Sequence, residues 1–456
     1  MSREAVCRLD QNNQGRAAMN PGRRRSATAL NVVIAGVLAS TGARAADLSF
    51  GMDLGVGHND NIARVDEGEQ DETIASLGAQ LRLNHESRRL LANVASRFEY
   101  LDYMDDTYDG EVVGNLIGNA TFNIVEDRFK WVLDDTFGQA TQNQFAAATP
   151  DNRENVNNLS TGPDITLALG SRNQLLLNGR YIDVQYEDSE LDNHRVRAAL
   201  ALRRSLSEAS SLSANVTTEQ VRFDNDEQSV DFDSHEAFLN YKLDAARTSL
   251  SMDAGASEFT SEGQDTSGWL GRLELTRRAS PSLTVGLDLG HDFSDAGSSF
   301  TNLQAQQPGS IEPVPVQQTF MPFQNNYGTV FARFSRNRTS IQLRAGFYDE
   351  TYDELPQFDR KRITVNLGLD RNLNSAVSVL ANAQYSRQDY ENLGLEFTDL
   401  AATLGMKWRV TRLSNLSFEY RYLSRDDDDG SNYRANEVWI RFGFMVGEGA
   451  AGGAGP

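Results

Sequence analysis

From Leu48 onward, apolar and polar residues alternate with a period of two along nearly the whole chain. Leu48, Phe50, Met52, Leu54 and Val56 are separated by Ser49, Gly51, Asp53 and Gly55. The pattern returns in Leu77, Ala79, Leu81 and Leu83, in Leu283, Val285, Leu287 and Leu289, and in Ile363, Val365, Leu367 and Leu369. Alternate residues of an extended strand point to opposite faces, so each segment has one apolar and one polar face. The body shows no comparable amphipathic helical stretch. About 20 such segments are predicted, the first near 48–59 and the last near 436–446. Most run 10 to 15 residues. Soluble strands average about 5 or 6, whereas a tilted strand needs about 9–11 to cross a bilayer.

The connections alternate as well. One set is short, as at His85–Arg88, Glu126–Arg128, Ser280–Ser282 and Arg336–Arg338. The other set is longer and acidic, as at Asp60–Glu72, Asn143–Glu154, Asp224–Asp233, Ser294–Asn325 and Arg425–Ala435. Short turns at one end and long loops at the other predict an all-β, transmembrane, antiparallel up-and-down barrel of about 20 strands, with 18–22 open. An even count puts both chain ends on the short-turn, periplasmic side. Aromatics near segment ends fit interfacial girdles: Tyr100, Tyr103, Phe129, Trp131, Tyr181, Trp269, Phe293, Tyr327, Tyr385, Trp408, Tyr420 and Tyr422. A propeller or β-helix would need a fixed motif per repeat, and a sandwich would need shorter strands with Greek-key connections.

Composition closes other routes. Mean hydropathy is −0.49, and the body lacks the apolar runs of about 20 residues that a helical bundle needs. Lys and Arg total 43 against 64 Asp and Glu, a net charge of −21, which argues against a phosphate-binding nucleic-acid protein. The single cysteine, Cys7, argues against disulfides, zinc clusters and thiol chemistry in the body.

Residues 1–45 read as a signal peptide. Arg23, Arg24 and Arg25 precede an apolar run from Ala27 to Gly42, which ends at Ala43-Arg44-Ala45. Met19 is an alternative start, and an uncleaved anchor is the competing reading. The barrel is expected over 46–446, and 447–456 is expected to be a flexible Gly/Ala tail. Localisation in the outer membrane of a Gram-negative bacterium follows from the leader and the barrel together.

The chain resembles the outer-membrane β-barrel porin families encoded with exopolysaccharide and exosortase systems (beta-barrel porin 2-like). Beyond the overall pattern, the resemblance rests on Asn59, Asp60, Asn61 and Ile62 where the first strand meets the first loop, and on turns such as Arg278-Ala279-Ser280-Pro281-Ser282. It implies an outer-membrane pore associated with export or assembly of a surface polymer.

If the apolar faces meet lipid, the opposite faces line the interior. Candidate pore-lining residues are Arg82, Arg97, Glu99, Asn119, Arg180, Arg197, Lys242, Arg272, Glu274, Arg344, Lys407, Arg409, Glu419 and Arg421. Such side chains can hydrogen-bond hydroxylated polymers and small solutes, or brace the wall as paired charges. A barrel of about 20 strands is wider than the 16–18 that already leave a channel, so something must set the bore. The candidate is Ser294–Asn325, carrying Pro308, Pro313, Pro315 and Pro322, folded into or over the pore; a solvated surface loop is the alternative.

No cofactor, metal site or enzyme is expected. The histidine-acid neighbours His291 and Asp292 point to opposite faces of a strand and cannot jointly hold one water. Asp426–Asp429 lack the spacing of a calcium loop, although an acidic rim can hold divalent cations that bridge lipopolysaccharide. Val438, Ile440, Phe442 and Phe444 resemble the signal read by the barrel assembly machinery. Expected partners are outer-membrane lipid and lipopolysaccharide, that machinery and a polysaccharide, with no nucleic acid. The expected activity is passive conduction linked to exopolysaccharide or another surface polymer. A general diffusion porin for small solutes and a structural or adhesin-like barrel with acidic loops are the alternatives.

Overall fold

The computed structural model describes residues 46–225, 230–261, 264–306, 310–316, 318–353, 355–427 and 431–447. The leader and nearly all of the predicted tail lie outside the described residues. The first ten strands are β1 (Ala46–Asn59), β2 (Glu72–Glu86), β3 (Leu90–Tyr103), β4 (Glu111–Val125), β5 (Phe129–Thr141), β6 (Arg153–Ala168), β7 (Asn173–Tyr186), β8 (Asn193–Ser205), β9 (Ser210–Phe223) and β10 (Phe232–Ala245). The rest are β11 (Thr248–Ser261), β12 (Gln264–Ser280), β13 (Leu283–Ser294), β14 (Phe323–Arg336), β15 (Thr339–Thr351), β16 (Arg360–Asn372), β17 (Val377–Tyr390), β18 (Leu395–Arg409), β19 (Ser414–Asp427) and β20 (Tyr433–Gly447).

Each strand pairs antiparallel with its sequence neighbours, and β1 pairs with β20 from Ser49↔Gly447 to Asn59↔Glu437. The sheet is therefore a closed 20-stranded barrel with no free edge to template aggregation. Nine connections at one end have two to four residues. The opposite end carries the long loops, up to the 28 residues 295–322 between β13 and β14. Two connections there are short: 262–263 join β11 to β12, and 391–394 join β17 to β18.

The alternation decides which row faces where. Leu54, Val56, Leu239, Val330, Leu404, Ile440 and Phe442 are exposed on the outer rows, each at 49% or more. An apolar belt of this extent is stable only against hydrocarbon. Trp131, Tyr181, Trp269, Trp408 and Tyr420 are exposed among the outer aromatics. Two of the expected girdle residues lie elsewhere. Tyr103 is buried inside the barrel, its hydroxyl donating to Glu111 at 2.6 Å, and Tyr327 sits on the inner row opposite Gly290. Each lies an odd number of positions from an outward residue of its own strand, Tyr100 for Tyr103 and Val330 for Tyr327, and so falls on the opposite face, which aromatic frequency alone does not reveal.

Two further expectations are corrected. His85 lies within β2 rather than in a turn. The body does contain a helix, α1 (Ala296–Gln306). Asp295 caps it, with Oδ1 accepting from Ser298 N at 3.1 Å. Its apolar face is short, with Ala296 and Phe300 buried, so the hydrophobic periodicity is weak in the sequence.

Candidate functional site

The register places all fourteen candidate lining residues on the row opposite the exposed apolar belt, facing the barrel interior. Asp53, Gly78 and Glu99 follow one another across β1, β2 and β3, and Arg344 lies opposite Phe331 and Asn366 on β14 and β16. These side chains take different parts in the interior. Arg97 bridges Asp53 at 3.1 Å and Glu99 at 3.0 Å, and Arg441 approaches the other oxygen of Glu99 at 3.5 Å. Arg272 joins Glu236 and Asp292, each at 2.7 Å. Arg197 meets Glu219 at 3.1 Å, and Asn119 donates to Asp134. Lys242 meets only the exposed Asp244, at 3.3 Å. Arg82, Glu274, Lys407, Arg409 and Glu419 make no side-chain hydrogen bond or ion pair among the described residues.

Arg180 has a local reason to be where it is. Pro163 on β6 lacks an N–H, and the β6–β7 ladder skips from Thr161↔Tyr181 to Asp164↔Asn178. Arg180 Nη1 donates to the freed carbonyls of Pro163 at 3.2 Å and Gly179 at 2.7 Å, while its other amine meets Asp164 at 2.7 Å. It repairs the wall.

The long connection between β13 and β14 runs inward. Asp295 is held by Arg195 of β8 through a two-point contact at 2.7 and 3.0 Å. Thr301 of α1 accepts from Asn158 of β6 at 2.8 Å, and Gln304 packs over Gly138 of β5. Beyond the helix, Val314 forms a parallel bridge with Ala140 of β5, its N–H donating to Gln139 O at 2.8 Å. Glu312 accepts from Arg421 of β19 at 2.6 Å. Arg360 of β16 pairs with Glu350 and also reaches Gln144 at 3.1 Å, Gln388 at 3.2 Å and Pro315 O at 3.5 Å. One segment thus touches strands on opposite sides of the ring.

Apolar contacts hold it there. Phe300, Val314 and Val316 pack with Ala140, Val156, Val184 and Tyr186, and Ile311 packs against Ile62, Tyr103 and Trp439. These side chains come from inner rows near the long-loop end, so the barrel's buried apolar clusters there are built around this segment. Burial pushes the Asp295 carboxyl up, but the Arg195 charge and the Ser298 donors prevail and hold it at about 2. Burial likewise opposes ionisation of Glu312, and Arg421, with Arg64 and Arg153 beyond it, brings it down to about 2. Both acids are therefore charged and tethered near neutral pH.

The Asn59–Ile62 segment closes the seam. Asn61 N donates to the Asn59 side chain at 2.9 Å, and Asn61 Nδ2 donates to Arg434 O on β20 at 2.9 Å. Ile62 is buried beside Trp439.

Sequence reasoning found the loop but not its anchors Arg195, Asp295, Glu312 and Arg360. An Asp directly before Ala-Gly-Ser-Ser was the available helix-start signal. Nothing in the sequence marked which arginines would meet it.

Residues 360–443 match the family described as "Putative beta-barrel porin 2". The match spans β16 to most of β20. Over that stretch, well under half of the chain, the closed barrel is similar to this porin family. No curated protein matches it. Among solved structures it is similar to a mutant of the ferric enterobactin receptor PfeA from Pseudomonas aeruginosa, at 7% identity over 88% of this chain and 80% of that one, with a TM-score of 0.46. It is also similar to Acinetobacter baumannii OccAB3, at 9% identity over 88% and 99% of the two chains, with a TM-score of 0.36. A third is a loop-deletion mutant of OmpT, an outer membrane protein of Vibrio cholerae, at 11% identity over 88% and 100%, with a TM-score of 0.33. At these identities nothing about solute or activity transfers.

Proposed function

We propose that this protein is an outer-membrane conduit whose bore is set by the inward segment 295–322, and that it passes a hydroxylated surface polymer without doing chemistry on it. The observation that carries the reading is the tethering of that segment to β5, β8, β16 and β19 inside a closed barrel. A loop serving only the outer surface would have no use for charged anchors on three inner rows, since a charge taken from water needs a partner. Selectivity then comes from lining charges and bore. A mixed lining of arginines, acids and amides favours neutral, hydroxyl-rich cargo over a simple anion or cation. The leader over 1–45 would route the chain across the inner membrane, and the outermost acidic loops would face the lipopolysaccharide layer.

The test is single-channel recording in planar bilayers. The wild-type protein is expected to open small, stable channels, and deletion of 304–318 is expected to raise unit conductance several-fold. Equal conductance in the two would remove the segment from the permeation path. A general diffusion porin remains the second reading, favoured by lining residues such as Arg82, Lys407 and Arg409 that make no side-chain hydrogen bond or ion pair among the described residues. Liposome swelling with oligosaccharides of graded length separates the two, because a polymer conduit continues to pass chains that a small-solute porin excludes.

A further inference from the structure

The inner wall of β13 and β14 has a repeating surface that bracing does not explain. On β14 the inward row reads Asn325, Tyr327, Thr329, Phe331, and on β13 the facing row reads Asp292, Gly290, Asp288, Gly286. Each ring lies opposite a glycine. A β-carbon at Gly290 would collide with the Tyr327 ring, and one at Gly286 would collide with the Phe331 ring. The rings therefore lie against the wall instead of standing up from it, and both remain partly exposed. At about 3.4 Å per residue, they are spaced about 14 Å apart along the strand.

Between and above the rings are unused polar groups. Asp288 lies between the two glycines and is partly exposed; its Oδ1 is buried, and neither carboxylate oxygen has a hydrogen-bond or ion-pair partner among the described residues, which leaves Oδ2 as the open acceptor. Asn325, one inward step beyond Tyr327, is also partly exposed, with its Oδ1 buried and its amide making no side-chain hydrogen bond among the described residues. Arg344, opposite Phe331, stands 5.6 Å from that ring's centre and donates to Gln306 at the end of α1 at 3.1 Å. The strip thus runs along the wall beside the inward helix.

We propose that this strip is a contact track for a neutral glycan chain, with Tyr327 and Phe331 as stacking platforms, the open oxygen of Asp288 as a hydroxyl acceptor and the Asn325 amide as a donor. This deepens the conduit reading and rests on it. A pyranose ring offers a face of C–H groups, apolar and slightly positive, which suits the negative face of an aromatic ring. Its edge carries hydroxyl donors, which suit acceptors that the protein leaves unpaired. A purely apolar solute would use the rings and leave the acceptors desolvated. A simple ion would use neither ring. Because the two platforms repeat along the strand at a spacing longer than one sugar unit, an extended chain rests on both through units several places apart, and the contact guides without trapping.

The probe is maltohexaose, and two measurements keep the track separate from the pore. In planar bilayers, maltohexaose is expected to block open wild-type channels transiently. The double variant Tyr327→Leu/Phe331→Leu keeps apolar cover over both glycines, and is expected to shorten mean block time about 10-fold while open channels persist. Asp288→Leu is expected to shorten it about 3-fold. In parallel, titration calorimetry on detergent-purified protein is expected to show maltohexaose binding that the double variant weakens by a similar factor. Binding and its loss in the variant, with no conducting channel, would sink the conduit and leave the track. Unaltered block and binding in the double variant, no binding by the wild type, or block by 4-hydroxybenzoate in place of maltohexaose would each overturn the track.

Discussion

Asp60 and Asn436, 376 positions apart, join the first loop to the last strand: Asn436 N and Nδ2 each donate to the Asp60 carboxylate at 2.7 Å, and Asp60 N donates back to Asn436 O at 3.1 Å. The contact continues the β1–β20 ladder one step past the last paired residue, Asn59. Tyr420 adds a hydrogen bond to Asn436 at 2.7 Å, so β19 is tied in as well. The seam is the place where a barrel built in sequence order must finally close, and its polar lock uses the segment that also carries the family-like Asn59–Ile62 pattern.

Removing the lock is expected to loosen closure. Asp60→Ala strips a charge-assisted acceptor from two donors, and such bonds contribute about 1.5–3 kcal/mol. Unfolding in urea from lipid vesicles should show a lower midpoint by that order, with Asn436→Ala giving a smaller loss and the double variant exceeding Asp60→Ala by no more than the separate Tyr420 hydrogen bond. Additive losses would mean the two residues act separately.

Arg360 and Glu350 face each other across β15 and β16, with contacts at 2.7 and 2.8 Å and both side chains buried. Arg360→Ala leaves the buried Glu350 carboxylate with only the longer contact to Arg362 at 3.9 Å, at a cost approaching the roughly 3–5 kcal/mol of a broken buried pair. Arg360→Met together with Glu350→Leu should recover most of that stability. The same double change should still disturb conductance, because Arg360 also holds Pro315 O of the inward segment.

Acid should release the inward segment. Asp295 and Glu312 sit at about 2 in the folded protein, below the ordinary 3.8 and 4.5. For acids depressed in this way, the docking contribution is fully present above about pH 4.5 and disappears as pH falls through about 2. Channel conductance and noise are expected to be flat from pH 8 to 5 and to rise between pH 4.5 and 2. In Asp295→Asn/Glu312→Gln channels the raised conductance should already be present at pH 7. A transition centred above pH 6 would assign the release to other groups.

The two faces of one strand should respond oppositely to charge. Leu404 of β18 is 60% exposed on the outer row, and its neighbour Thr403 pairs with the inward Arg421. Leu404→Arg places a cation in hydrocarbon, costing about 2–4 kcal/mol near the bilayer centre. Thr403→Arg places one in the lumen, where it should leave folding nearly intact and shift ion selectivity toward anions. Equal folding losses from the two would contradict the assignment of inner and outer rows.

How far the sequence reached depends on what kind of physics was asked of it. The row assignment was legible because alternation is local: once Leu54 is outward, Asp53 and Gly55 are inward whatever the rest of the chain does. The strand count and the two classes of connection followed from the same repetition. Tyr327 was misread as a girdle residue because an aromatic near a strand end has the same local pattern on either face, and only its pairing with Gly290 decides which one it occupies.

By itself, then, the sequence determined a long run of half-apolar strands with short and long turns in alternation, which hydrocarbon and backbone hydrogen bonding together oblige to close on itself. The tertiary structure alone decided what fills the interior. Arg195 meets Asp295, and Arg421 meets Glu312, across 100 and 109 positions, and each ion pair is chosen by where the barrel's curvature and the direction of α1 bring the charges within reach. No local rule carries that information, because the partners come together only after the wall has closed around them.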